Sequence, residues 1–295
     1  MSYRDAITGQ IPLTEHINLI TSNGLKYLHI THPKAHARLS LFGAHLLSFI
    51  PANSAPVIWM SDDAIFNGVK AIRGGVPICW PWFGPAQESP TVQPLAQTKN
   101  FPSHGFARNS HWQLLDSQSD ADSCCVRLQL TSSSETKRLW PHEFNLIAEF
   151  IISDTLTINL LTENTGNSSF DYGGALHSYF QISQPDAIQV QGLDKNNLEP
   201  RTLVGDVDIV CANPTATITL EDKQLQRKIA ITNEGNNAMV VWNPWQSGAK
   251  AFVDMPDDGY QTMFCLEPAI IGKQAVTVAP GASHTLTTKL SVVDL

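Results

Sequence analysis

The strongest constraint on the fold is a recurring pattern: short runs of alternating apolar and polar residues, each closed by Gly, Pro, Asn or Asp. Such runs read as strands bounded by turns. Residues 144–152 and 155–161 flank Ser153-Asp154 and predict a hairpin, with Leu156, Ile158 and Leu160 on one face of its second strand. Residues 125–130 put Val126, Leu128 and Leu130 on one face in the same way. Further strands are predicted at 25–30, 37–41, 43–50, 175–182, 188–190, 217–220, 228–232, 238–242 and 263–266. Residues 275–290, centred on Pro280-Gly281, predict a closing hairpin of the same sheet system. No amphipathic helix exceeds about three turns. Strands without alternating helices specify an all-β antiparallel sandwich, and with no linker or fixed-period repeat, residues 1–295 are expected to form a single domain.

One stretch departs from the strand pattern. Ile72-Arg73-Gly74-Gly75-Val76-Pro77-Ile78-Cys79-Trp80-Pro81-Trp82-Phe83-Gly84 combines a cation, two prolines and three aromatics. Pro77 and Pro81 remove ladder donors, and Gly74-Gly75 permits a sharp turn or a close approach. The segment is either a shaped wall offering Arg73 and aromatic faces to a ligand, or a bulged strand whose aromatics are core. Residues 85–102 follow as a long, proline-rich loop without a period.

Charge narrows the partners. With 19 basic and 27 acidic side chains the formal charge is -8, which argues against a nucleic-acid or anionic-membrane surface. An anionic small molecule would then need specific arginines. The five cysteines are odd in number and show no C-x-x-C spacing, and the first residues show no apolar signal region, so reduced thiols and a cytoplasmic location are expected. Asn167-Ser168-Ser169 reads as a turn.

Three local clusters bring polar groups suited to chemistry: His104 with Arg108, then His177 after Gly173-Gly174, then Glu267 between Leu266 and Pro268. A carboxylate in an apolar run is costly unless it is paired or functional. His29, His32 and His36 have ligand-like spacing but are interrupted by Pro33. No P-loop, G-x-G-x-x-G or G-x-S-x-G occurs.

Five motifs in order resemble the aldose 1-epimerase superfamily, and within it the hexose-6-phosphate mutarotase branch. They are Arg73-Gly74-Gly75-Val76-Pro77 with Trp80-Pro81-Trp82-Phe83-Gly84, His104-Gly105-Phe106-Ala107-Arg108 followed by Trp112, Leu176-His177-Ser178-Tyr179-Phe180, Trp242-Asn243-Pro244-Trp245, and Cys265-Leu266-Glu267-Pro268. The resemblance implies a galactose mutarotase-like β-supersandwich with its site on a concave sheet face, without metal or organic cofactor. It implies His177 as general acid, Glu267 as general base, substrate contacts from Arg73, His104 and Arg108, and Asp208 as a sugar-binding aspartate.

The residue types suit that chemistry. Exchanging anomers needs a base for the C1 hydroxyl proton and an acid for the ring oxygen, while two arginines can grip a phosphate. The expectation is a monomer acting on a phosphorylated hexose, with Arg73 setting specificity and Lys195 as a possible helper. Alternatives are a non-catalytic sugar-binding protein, an epimerase of unphosphorylated aldoses, or a metal-dependent isomerase of jelly-roll type, for which no ligand cluster is visible.

Overall fold

The computed structural model describes residues 7–96, 101–194, 197–199, 203–212, 214–272 and 275–295; Lys195 lies outside them. Strict alternation decides the largest layer. Phe144–Ile152 and Thr155–Asn164 bury every second residue along their full length and pair antiparallel, Leu156 opposite Ile152 and Leu160 opposite Ala148, as the hairpin pattern predicts. They lie inside an eight-stranded sheet running Ile188–Gln191, Thr217–Asp222, Arg227–Glu234, Ser283–Asp294, Thr155–Asn164, Phe144–Ile152, Cys124–Thr131, Gln113–Ser119. Its apolar face carries Val126, Leu128, Leu146, Phe150, Ile158 and Leu286 into the main core.

A five-stranded antiparallel sheet forms from the chain's first strands, Ile7–Pro12 through His45–Pro51 in sequence order. The strands at Ile7–Pro12, Ile17–Ser22, Gln113–Ser119 and Val207–Cys211 go beyond the sequence reading. Ile7–Pro12 is exposed throughout, so no burial pattern marks it.

The sheet that carries the site is six-stranded: Val207–Cys211, Ala238–Asn243, Met263–Ile270, Gly174–Leu176 and Ile78–Cys79 in order, with Tyr179–Gln181 also pairing Met263–Ile270. Its central strand is buried on both faces. Phe264, Leu266 and Ile270 enter the main core, while Cys265 and Ala269 join two smaller clusters on the opposite face. That two-sided burial explains why Met263–Ile270 is nearly all apolar; the alternation is between two interiors rather than between core and water.

Two expectations are corrected. The closing hairpin does not form: Val276–Val278 pairs with Phe170–Tyr172, whereas Ser283–Asp294 inserts between Thr155–Asn164 and Arg227–Glu234. Pro280-Gly281 therefore turns the chain from one sheet to another. The single strand expected at 175–182 is broken into Gly174–Leu176 and Tyr179–Gln181, with the break at His177-Ser178. His177 N–H continues the register against Ile78–Cys79 by donating to Pro77 O at 3.0 Å, and Pro77 has no N–H to return the bond.

Candidate active site

Side-chain alternation assembles the floor of the site. On the central strand Cys265, Glu267 and Ala269 share the face opposite Leu266, and their cross-strand neighbours are Trp242, Val240 and Ala238. Asp208 and Val210 are paired with Trp242 and Val240, one strand further out. His177 extends the Gly174–Leu176 strand onto the same face, and the Tyr179 ring stacks on it with centroids 4.8 Å apart and planes 7° apart.

Loops supply the walls. Gly74 and Gly75 both have positive φ; a Cβ on Gly75 would stand 2.3 Å from Leu46 O of the five-stranded sheet and one on Gly74 2.8 Å from Met60 Cα, so these glycines let the wall meet neighbouring backbone rather than a ligand. Buried His45 braces the turn through Nε2 to Gly74 O at 2.7 Å. Arg73 then points inward: Nε donates to Asp254 Oδ1 at 3.0 Å, Nη1 donates to Tyr179 OH at 3.3 Å, and the guanidinium sits 4.2 Å over the Phe252 ring. The expectation of free Arg73 donors is thus revised, since Asp254 and Tyr179 hold part of the fork.

The second wall is the turn from Ser103 to Arg108. His104 has φ 61° and Gly105 φ 72°, and a Cβ on Gly105 would collide with Trp80 O at 2.0 Å. His104 and Gly84 exchange hydrogen bonds: His104 N–H donates to Gly84 O at 2.8 Å, and Gly84 N–H donates to His104 Nδ1 at 3.2 Å. Nδ1 is therefore the acceptor nitrogen, which leaves Nε2 to carry the proton. Arg108 donates from Nη2 to Ser103 O at 2.9 Å, and its Nε is buried without a partner.

The aromatic question divides. Trp80 and Trp82 are fully buried in the main core, their indole N–H groups bonded to Thr162 Oγ1 and Pro102 O. Trp245 lines a different cavity. Phe83, Trp242 and Phe252 are the rings that reach the site. The loop after Gly84 forms short helical turns at Ala86–Glu88 and Gln93–Ala96, and Glu88 reaches the rim.

All six sequence candidates line one cavity of about 600 Å³: Arg73, His104, Arg108, His177, Asp208 and Glu267. His177 Nδ1 lies 3.3 Å from Glu267 Oε1, yet Nδ1 and Glu267 Oε2 have no hydrogen-bond partner. Burial, followed by the electrostatic influence of His104, Arg108 and Arg73, holds His177 well below the usual imidazole value. Burial, reinforced by Asp208 and opposed by Arg108, holds Glu267 well above the carboxylate range. His104 is lowered to about 3 by burial and then by Arg108 and Arg73, so it is a neutral donor. In the ligand-free site these shifts favour the neutral imidazole and the neutral carboxyl. The low-dielectric setting favours both neutral forms, and the two guanidiniums add to that effect for His177 alone.

Asp254 and Tyr179, which orient Arg73, were not singled out from the sequence. Tyr179 lies in a quoted motif two residues from His177, where strand alternation signals a shared face. Asp254 sits in Asp254-Met255-Pro256-Asp257-Asp258 and has no local signal.

A polar cleft on the outer face of a two-sided buried sheet, within an all-β double-layered body, defines a galactose mutarotase-like supersandwich. A crystal structure described as a "putative mutarotase" from Salmonella typhimurium superposes with TM-score 0.87, at 32% identity and 97% coverage of both chains. Galactose 1-epimerase from Lactobacillus acidophilus shares the fold at TM-score 0.66, covering 98% of this chain and 99% of that one, at 11% identity. The aldose 1-epimerase family model matches residues 26–291, and the chain belongs to that family. An Escherichia coli K12 relative, named "Putative glucose-6-phosphate 1-epimerase", is 37% identical over 276 residues, covering 88% of this chain and 89% of the relative.

Proposed function

We propose that this epimerase interconverts the α and β anomers of a hexose 6-phosphate, glucose 6-phosphate foremost. The observation that carries this reading is the convergence of two arginines with a buried His–Glu pair on a single cavity. With the pair's one proton moved from Glu267 to His177, the Glu267 carboxylate takes the O1 proton and His177 gives its proton to O5. The C1–O5 bond breaks as C1=O1 forms, the C1–C2 bond rotates, and the C5 hydroxyl re-adds to the other face of C1, returning its proton to His177 while Glu267 gives its proton back to O1. The pair carries one proton in total at the start and at the end, so the reaction needs no net proton uptake. An anion neutralising Arg73 and Arg108 removes part of what depresses His177 and makes it a better proton holder. Arg73, His104, Arg108 and Asp208 hold the sugar phosphate.

The names of the curated relatives support the phosphorylated substrate. In this reading residues 1–295 act as one domain, a monomer, in the cytoplasm, where five free cysteines stay reduced; among the described residues no helix is long and apolar enough to cross a membrane. The Arg73–Asp254 ion pair is the observation favouring a second reading, an epimerase of uncharged aldoses, because it already satisfies one cation.

Anomer exchange measured by NMR on glucose 6-phosphate and on glucose separates the two. We expect faster turnover of the phosphate ester, and Arg108→Ala to remove that preference. Equal rates on both sugars, unchanged in Arg108→Ala, would overturn the phosphate assignment.

A further inference from the structure

The described residues bring three metal-ligating side chains together at one place: a donor atom each from His177, Cys265 and Glu267, all within 4.8 Å of one another. The histidines that sequence spacing groups, His29, His32 and His36, form no such cluster there. His177 Nδ1 and Glu267 Oε2 are buried without partners, on side chains 10% and 1% exposed. A buried polar atom left unpaired is destabilising, so both atoms are predisposed to accept a ligand.

The spacing suits a tetrahedral ion. His177 Nδ1 and Glu267 Oε1 are 3.3 Å apart. That matches the edge of a tetrahedron built with zinc–nitrogen and zinc–oxygen bonds of about 2.0–2.1 Å. Cys265 lies two residues before Glu267 on the same strand, so its thiol comes from the same sheet face. It is fully buried and does not line the cavity, which puts the donor cluster at the floor, under the sugar pocket.

We propose that His177, Cys265 and Glu267 form an inhibitory site for a Zn²⁺-type cation, entered through the pocket and completed by water in the fourth position. A nitrogen, a sulfur and an oxygen donor fit Zn²⁺ and Co²⁺; Mg²⁺ and Ca²⁺ prefer all-oxygen shells. The ion occupies the donor atoms that proton transfer requires. That loss of activity rests on the acid–base reading given above; the binding itself does not.

Co²⁺ is the probe, added to the whole chain after chelator treatment. The expected result is a thiolate-to-cobalt charge-transfer band in wild type, absent in Cys265→Ser, with Zn²⁺ affinity by calorimetry falling about tenfold or more in that variant. Whatever rate Cys265→Ser shows in metal-free buffer is not lowered further by Zn²⁺, whereas wild type is inhibited by Zn²⁺ and restored by chelator. Glu267→Gln, a change of similar shape, gives a second variant that weakens Zn²⁺ if Cys265→Ser does not fold. No band in wild type, a band persisting in Cys265→Ser through another thiol, or unchanged Zn²⁺ affinity in Glu267→Gln overturns the site. A band without any epimerisation to inhibit keeps the metal site and sinks the enzymatic reading instead.

Discussion

His177 Nδ1 stands 3.3 Å from Glu267 Oε1 on two neighbouring strands, both side chains buried and neither aligned to bond the other. An acid and a base held apart in this way can each reach a different oxygen of one sugar ring. Replacing either should therefore remove most of the rate. Glu267→Gln and His177→Ala should each lower kcat by roughly 10²–10⁴-fold in polarimetric anomer exchange. Near-wild-type rates in both would show that the reaction uses other groups.

The pH profile follows from burial. Only the singly protonated pair contains both an acid and a base, so kcat/KM should be bell-shaped. Lowering of His177 and raising of Glu267 move both limbs away from the values of the free side chains. The limbs belong to the pair rather than to either residue. A single-limbed profile in initial-rate measurements would contradict this.

Stability should depend on pH through the same carboxyl. In the unfolded chain Glu267 releases its proton near 4.5, whereas in the folded protein it holds the proton to higher pH. Its contribution is therefore fully present below 4.5 and is lost as pH rises toward the folded value. Glu267→Gln cannot ionise, so it should gain stability relative to wild type as pH rises. Urea midpoints at a series of pH values test the sign; a difference that is flat or falls with pH refutes it.

Asp254 fixes Arg73 through a hydrogen bond of 3.0 Å in a partly buried setting, with the two side chains 16% and 20% exposed. A charge-assisted bond of this kind contributes about 1.5–3 kcal/mol, reduced here by residual solvent access. Asp254→Ala should raise KM for glucose 6-phosphate more than it lowers kcat. The double variant with Arg73→Ala should be no worse than Arg73→Ala alone, because the two act as a unit. Fully additive losses would mean that Asp254 acts independently of Arg73.

Gly105→Ala should cost about 2 kcal/mol or more, since it adds a Cβ that meets Trp80 O at 2.0 Å and strains a φ of 72°. Because the same turn carries His104, activity should fall with stability. An unchanged urea midpoint would show that the wall can shift at no cost.

Much of the architecture was legible because strand period and turn chemistry are local. The hairpin at Phe144–Ile152 and Thr155–Asn164, the burial around Val126 and Leu128, and the unusual carboxyl at Glu267 all follow from neighbours within a few residues. Alternation also misled, since Val276–Val278 and Ser283–Asp294 look like one hairpin but pair with strands far away in the chain. A turn signal records that the chain bends, not which edge it meets next.

The sequence by itself determined the all-β class, the family motifs and six of the side chains that line the cavity, because residue type and spacing are properties of the chain. Only the tertiary structure decided that Trp80 and Trp82 are core while Phe83 faces the pocket, and that Asp254 restrains Arg73. It also decided that His177 and Glu267 sit where burial favours their neutral forms, with Cys265 close by. Burial, ion pairing and proton affinity depend on what lies across space. Contacts between residues 181 positions apart, such as Arg73 and Asp254, leave no local trace in the chain.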